Sequence, residues 1–405
     1  MRAAGARQPT GPEGGSVERF DAVIVGSGIV GLAAALTFHA QGFRTCLVGP
    51  RPGQSDGRTA ALLQGSLQLL RRIQLGEELD RISAPLRRMR IVDDTGSLFR
   101  PPPVEFRADE IGLEFFGRNV ENAALVELLA DLVGRSGMLW KEALATGLDG
   151  DRVQLADGSD APGELIVAAD GRRSPMRQIV GVEATEHRYR QAALTTILAH
   201  DGDHRETSTE FHHRGGPFTL VPLPGRRSSL VWVTSPPHAK RLAEFGDADF
   251  AAAIRREARD LLGAMRIDGP RGIVPLSRLD VTSMWRGPVA LVGEAAHALP
   301  PIGAQGLNLG LADVAALARV AAEARSSGRS IGDPATLARY EAARHGDVRR
   351  RSAAVDGLNR ALLSDFLPVD ALRGIGLGAL ARIGPLRRAA MRAGLMTQPL
   401  SGQTG

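Results

Sequence analysis

The feature that most constrains this chain is the run Ala22-Val23-Ile24-Val25-Gly26-Ser27-Gly28-Ile29-Val30-Gly31. A short apolar stretch with the length of a buried strand stops at three glycines in G-x-G-x-x-G spacing. Leu32, Ala35, Leu36 and Phe38 then recur at helical intervals up to Gly42, and Thr45-Cys46-Leu47-Val48 reads as a second strand. The pattern predicts a βαβ unit with a dinucleotide pyrophosphate at the helix N-terminus. Gly26 permits the tight turn, Gly28 lets the backbone reach the pyrophosphate, and Gly31 lets helix and strand pack closely. Ser27, Ile29 and Val30 complete the loop and open the helix. The acidic residue that usually ends the second strand and bonds the adenosine ribose is absent, because the chain continues Val48-Gly49-Pro50-Arg51. NAD and FAD both remain compatible with this unit.

The 405 residues allow one large domain or two intimate ones, and 43% hydrophobic with 23% charged residues suit a globular protein. Formal charge is +5, carried almost wholly by arginine, with Lys141 and Lys240 the only lysines. No basic patch interleaved with aromatics occurs, so a nucleic-acid partner is not expected. The single cysteine, Cys46, excludes an internal disulfide and suits a reducing, cytoplasmic compartment. No apolar run approaches the ~18 residues of a membrane span. Residues 1–19 read as a disordered lead, and no His/Cys/Asp cluster has metal-ligand spacing.

Further along, Asp56-Gly57-Arg58-Thr59-Ala60-Ala61-Leu62 precedes an expected helix through Leu63, Leu67, Leu70 and Ile73. Arg58 stands at the helix entry, either paired with a phosphate or as a surface arginine. Asn122 stands where it could cap the helix through Leu125, Leu128, Leu129 and Leu132. Glu164–Ala169 reads as a buried strand ending in Asp170-Gly171, on the side where open α/β sheets bind ligands, or simply in a turn. Between about 185 and 285, short strand runs at Leu194–Ala199, Thr207–Phe211, Phe218–Pro222 and Leu230–Thr234 suggest an inserted antiparallel sheet. A short helix over Phe250–Met265 follows. His212 and His213 read as an exposed pair on a strand or turn, with a general base as the alternative.

Pro288–Asp313 then repeats the logic of the first unit. A strand Val289–Val292 ends at Gly293, prolines 300 and 301 stiffen a loop containing Gly303 and Gly306, and a helical pattern starts near Leu307. Helices are expected at Leu337–His345 and Val348–Leu363. Ala371–Leu400 carries Arg373, Arg382, Arg387, Arg388 and Arg392 among apolar residues and no acid. It suits either an anionic membrane surface or a helix packed on the body with its arginines in water.

The landmarks Gly26–Gly31, Ala169–Pro175 and Leu291–Gly310, in this order, resemble the FAD-dependent aromatic hydroxylases of the para-hydroxybenzoate hydroxylase class over roughly residues 20–380. Asp56–Leu62, Val120-Glu121-Asn122, Gly215-Gly216-Pro217 with Val221-Pro222-Leu223, and Gln305–Gly310 resemble their ubiquinone-biosynthesis branch, the UbiH/UbiF/Coq6 type. The resemblance implies an α/β fold: a Rossmann-like FAD-binding domain (20–80, 110–182 and 286–330), an inserted mainly antiparallel β-sheet substrate domain (81–109 and 183–285), and a helical C-terminal region (331–405).

It further implies that Gly26, Gly28 and Gly31 hold the FAD pyrophosphate, with Arg58 and Thr59 toward the phosphates and flavin side. Asn122 matches a cofactor contact, and Asp170-Gly171 a motif serving both FAD and transient NADPH or NADH. Gly293-Glu294 matches a Gly-Asp pair whose carboxylate binds the sugar chain, here one methylene longer. Pro301, Gly303, Gln305, Gly306, Leu307 and Asn308 match the loop beside the flavin ring. The implied reaction is O2-dependent hydroxylation of a polyprenylated aromatic ubiquinone precursor through a C4a-hydroperoxyflavin. A small soluble phenolic substrate, or a flavin-binding scaffold in a biosynthetic complex, are the alternatives. No catalytic residue is assigned, His297 reads as structural, and nothing indicates an oligomeric state.

Overall fold

The computed structural model describes residues 19–53, 57–96, 102–300, 305–363, 376 and 378–395. Most of the lead, Pro301, Gly303, and much of Ala371–Leu400 lie outside them.

In chain order, β1 (Phe20–Val25), α1 (Ile29–Ala40) and β2 (Thr45–Val48) form the βαβ unit. Next come β3 (Thr59–Leu63), α2 (Gln64–Arg72), α3 (Gly76–Ile82), β4 (Ser83–Pro85), β5 (Arg88–Asp93) and β6 (Val104–Arg107). Then follow β7 (Gly117–Glu121), α4 (Asn122–Arg135), β8 (Leu139–Lys141), β9 (Ala145–Asp149), β10 (Arg152–Leu155), β11 (Asp160–Ala168) and α5 (Pro175–Ile179). The middle of the chain forms β12 (Ala184–His200), β13 (Thr207–His213), β14 (Gly216–Leu223), β15 (Arg227–Thr234), α6 (Pro236–Ala243), α7 (Asp247–Glu257), β16 (Met265–Ile267) and β17 (Gly272–Val281). The chain ends in β18 (Trp285–Arg286), β19 (Val289–Leu291), β20 (His297–Ala298), α8 (Gln305–Ser326), α9 (Pro334–Leu363) and a C-terminal helix, Gly384–Leu395.

Two large sheets organise these elements. The first runs β18-β19-β11-β1-β2-β8, with β19, β11, β1, β2 and β8 parallel. Its central strands are apolar on both faces, as a sheet covered on each side requires. Ala22, Val23, Ile24, Leu165–Ala168 and Val289–Leu291 are buried accordingly. The second runs β20-β17-β12-β15-β14-β13-β5-β6 and is mainly antiparallel, with β13 and β5 parallel. Alternation along its strands separates two faces. Phe211, Phe218, Leu230 and Trp232 pack with Leu242, Phe250 and Ile254 of α6 and α7. On the opposite face, Ser229 of β15 bonds Thr59 of β3 at 2.9 Å, so that face turns toward β3 and β7.

Several local expectations change in the folded chain. Thr59–Leu63, expected as the entry to a helix carrying Leu63, is a strand paired antiparallel with β7, and the helix begins at Gln64. That pairing satisfies its backbone groups, which local helical spacing could not foresee. The helix expected over Phe250–Met265 is Asp247–Glu257, and residues 265–267 pair with β12. The two expected C-terminal helices are one, Pro334–Leu363. Among the described residues no helix is long and apolar enough to cross a membrane.

Candidate functional site

The carboxyl ends of β1, β11 and β19 meet at one place. Gly26 adopts φ +115°, and a Cβ there would stand 2.3 Å from the Ala169 carbonyl oxygen, so the β1 turn lies directly against the β11 end. A Cβ on Gly31 would stand 1.8 Å from the Gly26 carbonyl oxygen. Gly28 is the N-cap of α1 without a side-chain cap, and a Cβ there would meet nothing within 4 Å. The first turn of α1 therefore faces open space with unsatisfied N–H donors, as a phosphate cradle requires. Ser27 turns its hydroxyl back to the Pro50 carbonyl, while Ile29 and Val30 begin the helix.

The second-strand end has no acid of its own. Arg51 stacks over Trp140 at 4.0 Å and pairs with Glu142 at 2.8 Å, so the carboxylate beside this end comes from the residue after β8.

Asp170 is not simply a turn residue. Its carboxylate accepts from Ser174 Oγ and from the Met176 N–H at 2.9 Å, and Ser174 caps α5. Burial pushes its carboxyl up, against those hydrogen bonds. Buried Arg177 donates to the Ala295 carbonyl at 2.9 Å and to the Arg172 carbonyl at 2.9 Å, tying this loop to the turn after β19. Burial holds the Arg177 guanidinium below its ordinary value. Gly171, at φ +83°, has nothing within 4 Å of a Cβ and borders open space.

At the β19 end, the Gly293 N–H donates to Asp313 Oδ2 at 3.0 Å, and Gly293 and Gly310 both press on Val30. Glu294 is the one exposed side chain between Val289 and Pro300. Asp313 also bonds His297 Nε2 and Arg344 Nε, each at 2.6 Å. Burial would raise its carboxyl, but the charges and hydrogen bonds of His297 and Arg344 outweigh it and hold it below the usual range. This cluster was not anticipated, apart from the structural reading of His297. Its sequence signal is a carboxylate inside the apolar stripe Leu309, Leu311, Val314 and Leu317 of α8.

Gln305, Gly306 and Leu307 form the first described turn of α8 and are half-buried. Asn308 is spent on structure: its Oδ1 accepts from the Leu63 N–H at 2.8 Å and Ser66 Oγ at 2.7 Å, and its Nδ2 donates to the Ala61 carbonyl. Arg58 and Thr59 enter β3, where the Arg58 carbonyl accepts from the Asn122 N–H at 3.0 Å. Glu121, not Asn122, is the N-cap of α4, and Asn122 Oδ1 is buried without a hydrogen-bond partner. The capping role expected for Asn122 is therefore not the one it plays. His212 and His213 are not exposed either: His212 is 4% accessible and bonds Glu210, and His213 lies between Asp94 and Glu257.

The open α1 N-terminus, the tight Gly26 turn and the orphaned Asn122 oxygen together fit a dinucleotide cofactor such as FAD. Comparison with known proteins supplies its identity. Residues 19–354 match the family model for the FAD binding domain. The chain is 34% identical over 402 residues to the ubiquinone hydroxylase UbiL of Rhodospirillum rubrum, covering 96% of this chain and 93% of that protein. It is 28% identical to the 3-demethoxyubiquinol 3-hydroxylase of Escherichia coli, covering 92% and 97% respectively. The crystal structure of Klebsiella pneumoniae HpxO with FAD and uric acid has the same fold, with a TM-score of 0.75 at 21% identity, covering 94% of this chain and 97% of that one.

Proposed function

We infer, from the premise that this chain belongs to the FAD binding domain family as an FAD-dependent aromatic-ring monooxygenase of the UbiH/UbiF/Coq6 type, that it hydroxylates a polyprenylated ubiquinone precursor. The observation carrying this reading is the 34% identity to a ubiquinone hydroxylase across 96% of the chain. Bound FAD supplies electron transfer and oxygen activation, with NADH or NADPH as transient reductant and O2 as co-substrate.

The protein's own tasks are to hold, orient and shield. In this reading Gly26, Gly28 and the α1 N-terminus hold the pyrophosphate, the dipole contributing about 0.3–1 kcal/mol. Asn122 Oδ1 would accept a cofactor hydrogen bond, with Arg58 serving the phosphates and Glu294 the sugar chain. Backbone donors of Gln305, Gly306 and Leu307 would stabilise negative charge on the flavin ring. The face of the second sheet toward β3 excludes water. Residues 20–80, 110–182 and 286–330 then serve the cofactor, and 81–109 with 183–285 the substrate.

The C-terminal helix is anchored by Arg387 to Glu110 at 2.8 Å and by buried Met391, leaving Ile383 and Leu386 exposed. With exposed Arg382 and Arg392 this face suits an anionic membrane surface on the cytoplasmic side, where a polyprenylated substrate resides. Co-sedimentation with anionic liposomes should fall on truncation after Asp370, and equal binding by both forms removes the membrane role.

Deleting the gene and profiling prenylated quinone precursors by mass spectrometry tests the activity. Accumulation of a precursor lacking one ring hydroxyl is expected. An unchanged profile overturns the quinone-precursor assignment in favour of a small soluble phenolic.

A further inference from the structure

The second sheet carries an acid–imidazole pair, half-buried Glu210 and buried His212, on the face turned toward β3. Glu210 is in register with Thr219, Thr219 with Val231, and His212 with Pro217. These residues share a face with Ser229, two positions before Val231, whose hydroxyl bonds Thr59 of the cofactor side. Phe211 and Phe218 point the other way, into the cluster with α6 and α7.

On the cofactor-facing side, His212 Nε2 lies 2.6 Å from Glu210 Oε1, and Thr219 Oγ1 donates to Glu210 Oε2 at 3.2 Å. His212 Nδ1 is buried and has no hydrogen-bond partner. Gln191 Oε1 is a second buried acceptor without one, in the strand beyond β15. A buried acceptor left unpaired is costly unless a ligand supplies a donor. Glu210 fixes which nitrogen is free: a carboxylate accepts a hydrogen bond from Nε2–H and leaves the Nδ1 lone pair available. Burial opposes the charge on Glu210, but the hydrogen bonds from His212 and Thr219 hold the carboxyl low. Asp93 on β5 is in register with His212. Arg214 bonds the Thr95 carbonyl at 2.8 Å, and His213 faces Asp94 and Glu257 on the reverse side.

We propose that Glu210 and His212 are the proton-accepting pair for a ring hydroxyl of the substrate, with His212 Nδ1 as the accepting atom. This rests on the ring-hydroxylase reading above and makes the substrate class a phenol. The phenol O–H bond breaks, an N–H bond forms at Nδ1, and the electron pair stays on oxygen. The imidazolium is held through Nε2–H by the Glu210 carboxylate. The phenolate so formed is richer in electron density at its ortho and para carbons, and no oxidant is consumed in this step.

The test uses FAD-loaded protein, NADPH and 2-geranylphenol as probe, with His212→Gln and Glu210→Gln compared with the unaltered chain. Bound flavin per chain serves as the folding control. Hydroxylated product from His212→Gln is expected to fall about 10²–10⁴-fold at pH 7. The deficit should shrink roughly tenfold per pH unit, as solution hydroxide takes over ionisation. Glu210→Gln should show a smaller loss with the same slope. In ¹⁵N-histidine-labelled protein, the probe should move the His212 Nδ1 resonance toward its protonated position. A pH-independent deficit, undiminished product, or an unmoved Nδ1 resonance overturns the pair's role. Absence of hydroxylated product from the unaltered, flavin-loaded chain overturns the ring-hydroxylase reading itself, and the proposal with it.

Discussion

Arg344 Nε donates to Asp313 Oδ1 at 2.6 Å with both side chains buried, joining α9 to α8 beneath the turn that carries Gly293 and Glu294. The same carboxylate accepts from the Gly293 N–H, so one acid sets the geometry of a helix pair and of the turn after β19. Asp313→Asn leaves the Arg344 charge undercompensated in the interior. A loss of about 3–5 kcal/mol is expected, read from urea denaturation.

The acid limb of stability should show the same group. The Asp313 carboxyl is held low in the folded state, so its contribution is present above the unfolded value of about 3.9 and is lost as pH falls through the folded one. Unfolding midpoints measured from pH 6 downward should drop below about pH 4 in the native chain. The drop should be shallower in Asp313→Asn, and identical acid limbs would remove the assignment.

Gly28 and Gly31 should fail differently. A Cβ at Gly31 would collide with the Gly26 carbonyl, so Gly31→Ala is expected to lower thermal stability and flavin content together. Gly28 has open space, so Gly28→Ala should fold with an unchanged melting temperature while losing FAD affinity. Paired melting curves and flavin-release assays check both.

Glu294 is exposed at the β19 end, so shortening it disturbs no packing. Glu294→Asp should stay within about 0.5 kcal/mol in stability. Its FAD affinity, measured by fluorescence quenching, should be unchanged or higher. A clear loss of affinity would mean that the site is built around the longer acid.

Cys46 sits in the buried β2, where burial pushes its thiol up to about 12. Dithionitrobenzoate at pH 8 should therefore find no reactive thiol in the native chain and one per chain after denaturation, consistent with its single cysteine. Labelling of the native protein at the rate of a free thiol would contradict this.

The cofactor frame was legible because its signals are local. Gly26 through Gly31, the buried run ending at Ala169, and Val289 to Gly293 each announce a strand end by apolar content followed by glycine. Their order also carries the family resemblance. Thr59–Leu63 is not legible as a strand in the sequence because only β7, more than fifty residues away, makes it one. His212 and His213 looked exposed because two adjacent histidines resemble a polar turn. In β13 they point to opposite faces, and each face is covered.

The amino-acid sequence by itself determined the nucleotide-binding frame, the family and the positions of the glycines, because these depend on residue type and spacing within a few turns of chain. Only the tertiary structure decided what the polar side chains do. Asn308 became a brace between α8 and β3, Asp313 a buried hub for Gly293, His297 and Arg344, and Asn122 an unpaired acceptor instead of a cap. The reason is physical: hydrogen-bond partners and burial come from segments distant in sequence, and a side chain's charge and role are set by what surrounds it.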